Sequence, residues 1–195
     1  MTPPSGGEQS DEDSRSRRAL LSAGAAGGAT LLLGACGKKN PLHAKVKAVG
    51  PVPAADITVL NGLLDLEHYA IAAYEAGIPL LDKGSALAAR QFLSQELTHA
   101  GELSGLVKKA GAKPHDALPA YDLGHPSTND DVLRLLHRIE TAQLAAYVRA
   151  IPLLQDGKVR AAAMALFAND AQHVSNLRLQ LGLDPVPAAF VTGGE

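Results

Sequence analysis

Glu96-Leu97-Thr98-His99 sets a carboxylate and an imidazole three residues apart, and Asp170-Ala171-Gln172-His173 repeats the arrangement. Each pair has a lone glutamate upstream, Glu67 by 29 residues and Glu140 by 30. On a helix, residues three apart sit about 60° apart and share a face. Two such pairs and two further carboxylates, pointed at one another inside a helical bundle, form a donor set that suits iron, manganese or zinc.

The elements that must carry these residues are amphipathic helices. Ile57, Leu60, Leu64, Glu67, Ile71, Tyr74 and Ile78 alternate three and four apart, the period of a helix seam facing partners. Asp56 is the expected N-cap, and Pro79 should end or kink this helix. A second helix is predicted over 85–110, with Ala89, Phe92, Glu96, His99, Leu103, Leu106 and Ala110 on its seam; Gly111 and Pro114 stop it. Residues 111–127, with three prolines and two glycines, are long enough to cross the length of a bundle. A third helix is expected from Thr128, capped by Ser127, with the seam Leu133, Leu136, Glu140, Leu144, Tyr147 and Ile151. A fourth, over 158–181, aligns Ala163, Leu166, Asp170, His173, Leu177 and Leu181; a loose tail, 184–195, follows.

The helices are one pair used twice. Tyr74-Glu75-Ala76-Gly77-Ile78-Pro79-Leu80-Leu81 matches Tyr147-Val148-Arg149-Ala150-Ile151-Pro152-Leu153-Leu154 at an offset of 73, which also carries Glu67 onto Glu140. His99 maps to His173 at 74. A repeated helix pair predicts a bundle with approximate two-fold symmetry and the motif residues facing each other across its axis. Four unpaired carboxylates there would repel one another, and burying each costs several kcal/mol. Two divalent cations balance the four charges. The bland alternative is a hydrogen-bonded cluster without metal, in which Glu96 pairs with His99 or His173 and carboxyls share protons.

Composition agrees with helices. Apolar residues are 46% of the chain and aromatics only 4%, which argues against a β-sandwich. A formal charge of −2 gives no sign of a nucleic-acid partner, and the single cysteine, Cys36, excludes an intrachain disulfide and a cysteine-based metal site. Residues 1–36 have the form of an address. Arg17-Arg18 precedes an apolar run from Ala19 to Ala35, which resembles a twin-arginine export signal, and Leu33-Gly34-Ala35-Cys36 resembles a bacterial lipobox with lipid attached to Cys36. A membrane-spanning anchor is the alternative, and 17 residues rich in glycine are short for it. Residues 37–55, with Lys38, Lys39, Lys45 and Lys47, read as a tether.

Glu67, Glu96-x-x-His99, Glu140 and Asp170-x-x-His173 resemble the ligand set of the ferritin-like superfamily of di-iron carboxylate proteins, over residues 56–183. The resemblance implies an all-α four-helix bundle with a long crossover between the second and third helices. It implies two iron ions, or manganese, with Glu67, Glu96 and His99 on one and Glu140, Asp170 and His173 on the other, bridged by Glu96 and Asp170. Asp170 stands where the family usually has glutamate, and its side chain is one methylene shorter. Leu66-Glu67-His68 looks like exported bacterial members of the superfamily. The expected protein is therefore a lipoprotein on the outer face of the cytoplasmic membrane that oxidises iron or reduces O₂ or peroxide, a ferroxidase- or catalase-like oxidoreductase. The rival expectation is a non-catalytic envelope bundle with a structural metal or none, acting in binding or stress protection.

Among the other polar residues, Glu102 is expected in solvent, His68 against a neighbouring helix or water, and His137 outside the ligand set. Tyr74 and Tyr147 are expected to pack in the core, with a hydrogen bond to a ligand as the alternative. His43, His115 and His125 have no partner visible in the sequence.

Overall fold

The computed structural model describes residues 52–194, which are helical but for their connections and tail. The segments expected to be an export signal, a lipobox with Cys36 and a tether lie, up to residue 51, outside the described residues. Four long helices carry the fold: α1 (Ala54–Gly77), α2 (Lys83–Lys109), α3 (Asn129–Ala150) and α4 (Gly157–Gln180). None of them is long and apolar enough to cross a membrane. Pro79 and Pro152 end α1 and α3 at the same point of the repeat, each inside a short 3₁₀ turn, Ile78–Leu80 and Ile151–Leu153.

Two apolar cores fix the topology. One joins Leu60, Leu63 and Leu64 of α1 to Leu103 and Val107 of α2, Tyr147 of α3 and Val159, Ala163 and Leu166 of α4. The other joins Tyr74 and Ile78 of α1 to Ala89 and Phe92 of α2, Leu133, Leu136 and Ile139 of α3 and Leu177 of α4. The start of α1 thus lies beside the ends of α2 and α3 and the start of α4, so α1 and α4 run one way and α2 and α3 the other. Two parallel neighbours in sequence, α2 and α3, require a connection that spans the bundle, and residues 110–128 make it. This crossover lies along α1: His115 N–H donates to Asn61 (2.9 Å), the His115 ring meets the Asp65 carboxylate (2.9 Å), and Tyr69 donates to the carbonyl of Asp122 (3.0 Å).

The ends of the helices differ from the expected caps. Helix α1 begins at Ala54, so Asp56 sits inside its first turn and has another task. It is fully buried, and its two carboxylate oxygens accept from the N–H groups of Gln155 (2.8 Å) and Asp156 (2.9 Å) in the α3–α4 connection. The repeat places Asn129 at the corresponding point, and Asn129 accepts from Asp82 N–H in the α1–α2 connection (3.1 Å). Each helix pair therefore clasps the hairpin turn of the other. Thr128, not Ser127, caps α3: it accepts from Asp131 N–H while the Asp131 side chain accepts from Thr128 N–H, a reciprocal capping box. Asp82 and Asp156 cap α2 and α4. Gly111 and Gly182, at φ 79° and 70°, close those two helices in the left-handed conformation that glycine adopts without strain.

The tail folds back onto the bundle. Pro185, Val186, Pro187, Ala188 and Val191 line a cavity with Leu144, Ala171, Val174 and Arg178 of α3 and α4. Gly193, at φ 79°, approaches the backbone of Ala145 so closely that a β-carbon there would overlap it.

Candidate metal centre

Between the two apolar cores lies a polar layer. Glu67, Glu96, His99, Glu140, Asp170 and His173 are all buried in it, no more than 5% exposed, with one or two contributed by each helix. The helical seams place them there because each occupies a seam position between leucines or aromatics one turn or two away. Burial of the flanking residues, Leu64, Leu103, Leu136, Leu144, Leu177 and both tyrosines, shuts water out.

The closest contacts run between the two motifs rather than within them. His99 Nδ1 lies 3.2 Å from Asp170 Oδ1, and His173 Nδ1 lies 3.1 Å from Glu96 Oε1 and 3.3 Å from Glu140 Oε1. Within its own motif His99 Nδ1 is 3.7 Å from Glu96, and it is 3.8 Å from Glu67. The six residues fall into two overlapping ligand clusters: Glu67, His99 and Asp170 form one, and Glu96, Glu140, Asp170 and His173 the other, with the ligand atoms of each cluster within 4.8 Å of one another. Asp170 belongs to both.

The outward-facing atoms of these groups are tied down. Tyr74 O–H donates to Glu140 (2.5 Å), and Tyr147 O–H donates to Glu67 (2.6 Å), each from the helix opposite. Both tyrosines were expected first as core packing; they are core residues that also hold a carboxylate. His173 Nε2–H donates to Gln95 Oε1 (2.6 Å) and His99 Nε2–H to Asn169 Oδ1 (3.0 Å). Gln95 and Asn169 each immediately precede a motif carboxylate. An amide oxygen only accepts, so it keeps the proton on Nε2 and leaves Nδ1, facing the centre, free to ligate. Gln143 donates to Glu67 Oε2 (3.0 Å) and Glu96 Oε2 (3.3 Å), and the Phe92 ring stacks on His173 at 4.3 Å between centroids.

The inward-facing atoms are in the opposite condition. Glu96 Oε1, His99 Nδ1, Glu140 Oε2 and both oxygens of Asp170 are buried without a hydrogen bond; Glu96 Oε1, His99 Nδ1 and Asp170 Oδ1 have ion-pair contacts across the layer in its place. Buried polar groups are nearly always satisfied, so a cluster of orphans that converge on one volume marks a place for a cation. Carboxylate oxygens and imidazole nitrogens are also the right donors for a first-row divalent metal. The residues fit the group that the ligand pattern implies.

Electrostatics points the same way. Burial pushes Glu67 well above the usual carboxylate range, against the pull of His99. Burial and the nearby Glu96 charge push Glu140 up to about 7. Burial also raises Asp170; for Glu96 burial pushes up as well, but His173, Glu67 and His99 together override it and lower this carboxyl. Burial alone would lower both imidazoles; the carboxylates override it, raising His99 to about 11 through Asp170 and Glu67, and His173 to about 10 through Glu140 and Glu96. Without metal the centre therefore collects protons in place of cations.

Of the remaining candidates, Glu102 is exposed, as expected. His68 Nε2 meets the carbonyl of His115 (3.4 Å) on the crossover. His115 has a partner after all in Asp65, 50 residues away, too distant for sequence spacing to suggest it. His137 is half-buried outside the cluster, its ring held below the usual range by burial and by Arg178 and Arg138. Sequence reasoning missed Gln95, Asn169 and Gln143. The signal for Gln143 was present: it follows Glu140 by three and precedes Tyr147 by four, in phase with the seam.

Among solved structures, a conserved hypothetical protein from Mycobacterium tuberculosis shares the fold, with a TM-score of 0.63 and 23% identity over 70% of this chain and 96% of that one. A ferritin-like, diiron-carboxylate protein from Bacillus anthracis aligns with a TM-score of 0.57 and 18% identity over 65% of this chain and 94% of that one. No curated protein matches the chain. The sequence model of the ferritin-like domain matches residues 55–183, the four helices and their crossover, and the chain belongs to that family.

Proposed function

We propose that this protein is a cell-envelope di-metal oxidoreductase whose buried centre binds two iron ions, or two manganese ions, and oxidises iron or reduces O₂ or peroxide. One observation carries the reading: the inward-facing atoms of the four carboxylates and two imidazoles include five with no hydrogen-bond partner, while their outward-facing atoms are held by Tyr74, Tyr147, Gln95, Asn169 and Gln143. That division of labour leaves ligand atoms free and pre-aimed, which is what a metal site requires. Glu67, His99 and Asp170 would hold one ion, and Glu96, Glu140, Asp170 and His173 the other. Paired iron would supply electrons to O₂ or peroxide, and manganese would support peroxide dismutation.

The protein's own contribution is orientation and exclusion. Tyr74 and Tyr147 each donate to one oxygen of a glutamate, which fixes its rotamer and lowers the basicity of that oxygen. Gln95 and Asn169 hold the imidazole tautomers. The two apolar cores above and below keep bulk water from the layer, so charges inside it interact strongly. Attachment to the membrane through lipidated Cys36, after export directed by Arg17-Arg18, is the part of the proposal that rests on sequence alone.

Elemental analysis of the full chain produced with iron and with manganese tests the centre. Two equivalents of metal are expected, lost in an E67A/E140A variant. Oxidation of added Fe(II) and consumption of peroxide, both abolished in E96A/H99A, would establish catalysis. No bound metal, or metal with no turnover, would return the protein to the non-catalytic reading. Radiolabelled palmitate incorporation, absent from C36A, tests the anchor.

A further inference from the structure

Gln143 stands out because the repeat has no second copy of it: its counterpart in α1 is Ala70, which is fully buried in an apolar core. A glutamine in this layer must therefore have a use that the two-fold plan does not supply. Its amide nitrogen donates to Glu67 and Glu96, one from each of two helices that face α3. Its amide oxygen is buried and has no hydrogen-bond partner, although the residue is only 1% exposed.

The other side of Gln143 faces a cavity. A cleft of about 410 Å³, open to solvent, lies between α1, α3 and the crossover, and Gln143 is among its lining residues. Of the residues that line it, Gln143 is the one whose side chain hydrogen-bonds ligands of the centre. Leu66, Leu123, Leu135, Ile139 and Ala142 make most of its wall apolar, and the charges that line it, Asp122 and Arg138, are of opposite sign. The two charges offset one another, so the wall offers no net field to draw in either a cation or an anion. It suits a small uncharged molecule.

We propose that this cleft is the way in for a small uncharged oxygen species, O₂ or hydrogen peroxide, and that Gln143 is the gate between cleft and centre. The inference rests on the di-metal reading and assigns to it a path. Two hydrogen bonds to carboxylates close the gate; a rotation of the Gln143 side chain breaks them and joins the cleft to the ligand layer. The opposing position, Ala70, carries no group that could form such a gate, so the gate has no counterpart in the other half of the repeat.

Nitric oxide, an uncharged diatomic that binds ferrous iron, is the probe. The full chain is loaded with Fe(II) without oxygen, its iron content is measured, and the rate of nitric oxide binding is followed by absorbance after rapid mixing. Two variants bracket the gate. Ala142→Trp fills the mouth of the cleft from an exposed position on α3, outside the ligand set. Gln143→Ala removes the gate. With iron content equal to the wild type, binding should slow at least tenfold in A142W and quicken severalfold in Q143A. Equal iron content with an unchanged rate in A142W would overturn the path and leave the di-metal centre standing. Absence of iron from the wild-type protein would overturn the centre itself, and the path with it. A control with circular dichroism confirms that A142W keeps its helices; should it unfold, Leu123→Trp blocks the same cleft from the crossover.

Discussion

Leu60, Leu63, Ala89, Phe92 and Leu103 in the first helix pair correspond to Leu133, Leu136, Ala163, Leu166 and Leu177 in the second, and each set is split between the same two cores. Tyr74 and Tyr147 exchange places across the axis, each holding the other half's glutamate. The cores follow the symmetry closely because apolar packing tolerates any residue of the right volume. The halves part company in the polar layer and at the clasps. Asp170 answers Glu96, Asn169 answers Gln95, Ala70 answers Gln143, and Asn129 answers Asp56. Where a side chain must place one atom at one point, a methylene or an amide makes a chemical difference. The two ligand clusters are consequently unlike in size, three residues against four, with Asp170 common to both.

The largest expected effect separates the clusters. Asp170→Ala removes a ligand from both and should abolish metal binding, whereas His99→Ala removes one from the smaller cluster and should leave about one equivalent by elemental analysis. Equal losses from the two variants would break the distinction between the clusters.

The clasps come next. Asp56→Ala removes a buried carboxylate that accepts from two N–H groups of the α3–α4 connection and should cost about 3–5 kcal/mol in denaturant unfolding, as two hydrogen bonds to a charged group would. Asn129→Ala removes one bond at a partly exposed site and should cost about 1 kcal/mol. Similar values for the two would mean that the clasps are equivalent despite their chemistry. The tyrosines sharpen the symmetric side of the comparison: Tyr74→Phe and Tyr147→Phe should each cost about 1–3 kcal/mol in the metal-free protein and differ little from each other.

The smallest effect is graded with pH. In the metal-free bundle His99 and His173 stand at about 11 and 10 against 6.5 unfolded, so the folded state keeps protons that the unfolded chain releases. Their stabilisation is complete below pH 6.5 and fades as pH rises toward 10 and 11. Glu140, at about 7 against 4.5, has the same sign and loses its share between those values. The melting temperature of metal-free protein should therefore fall from pH 5.5 to pH 8.5. Metal affinity should rise over the same interval, because binding displaces the imidazole protons. A melting temperature that rises with pH would contradict the protonated imidazoles.

Much of this was legible before any coordinates. The seam periodicity located the six carboxylates and imidazoles of the central layer, because a charged group on an apolar stripe is conspicuous. The prolines and the length of 111–127 announced the helix ends and the crossover. The cap at Asp56 was misread because an aspartate before an apolar run is a common helix start, and nothing local reveals an acceptor's use by N–H groups 99 and 100 residues away. The course of the tail was illegible for a similar reason: a glycine's value in letting two backbones meet, as at Gly193 and Ala145, depends on a neighbour far off in sequence. Gln95 and Asn169 lie beside the seam rather than on it, and only the packed bundle brings each to the imidazole of another helix.

The clasp from Asp56 to the α3–α4 connection has a kinetic consequence. A bond that joins residues 56 and 155 closes only after the chain as far as the α3–α4 connection has docked, and the ligands of either metal cluster extend further still, to Asp170 in the fourth helix. Such distant contacts form late, after the entropy of ordering the intervening chain has been met. A chain cut short of α4, or one still being synthesised, holds neither complete ligand cluster. Metal captured by the full cluster is thus a certificate that the last helix has arrived, and a nascent or truncated chain should not carry it.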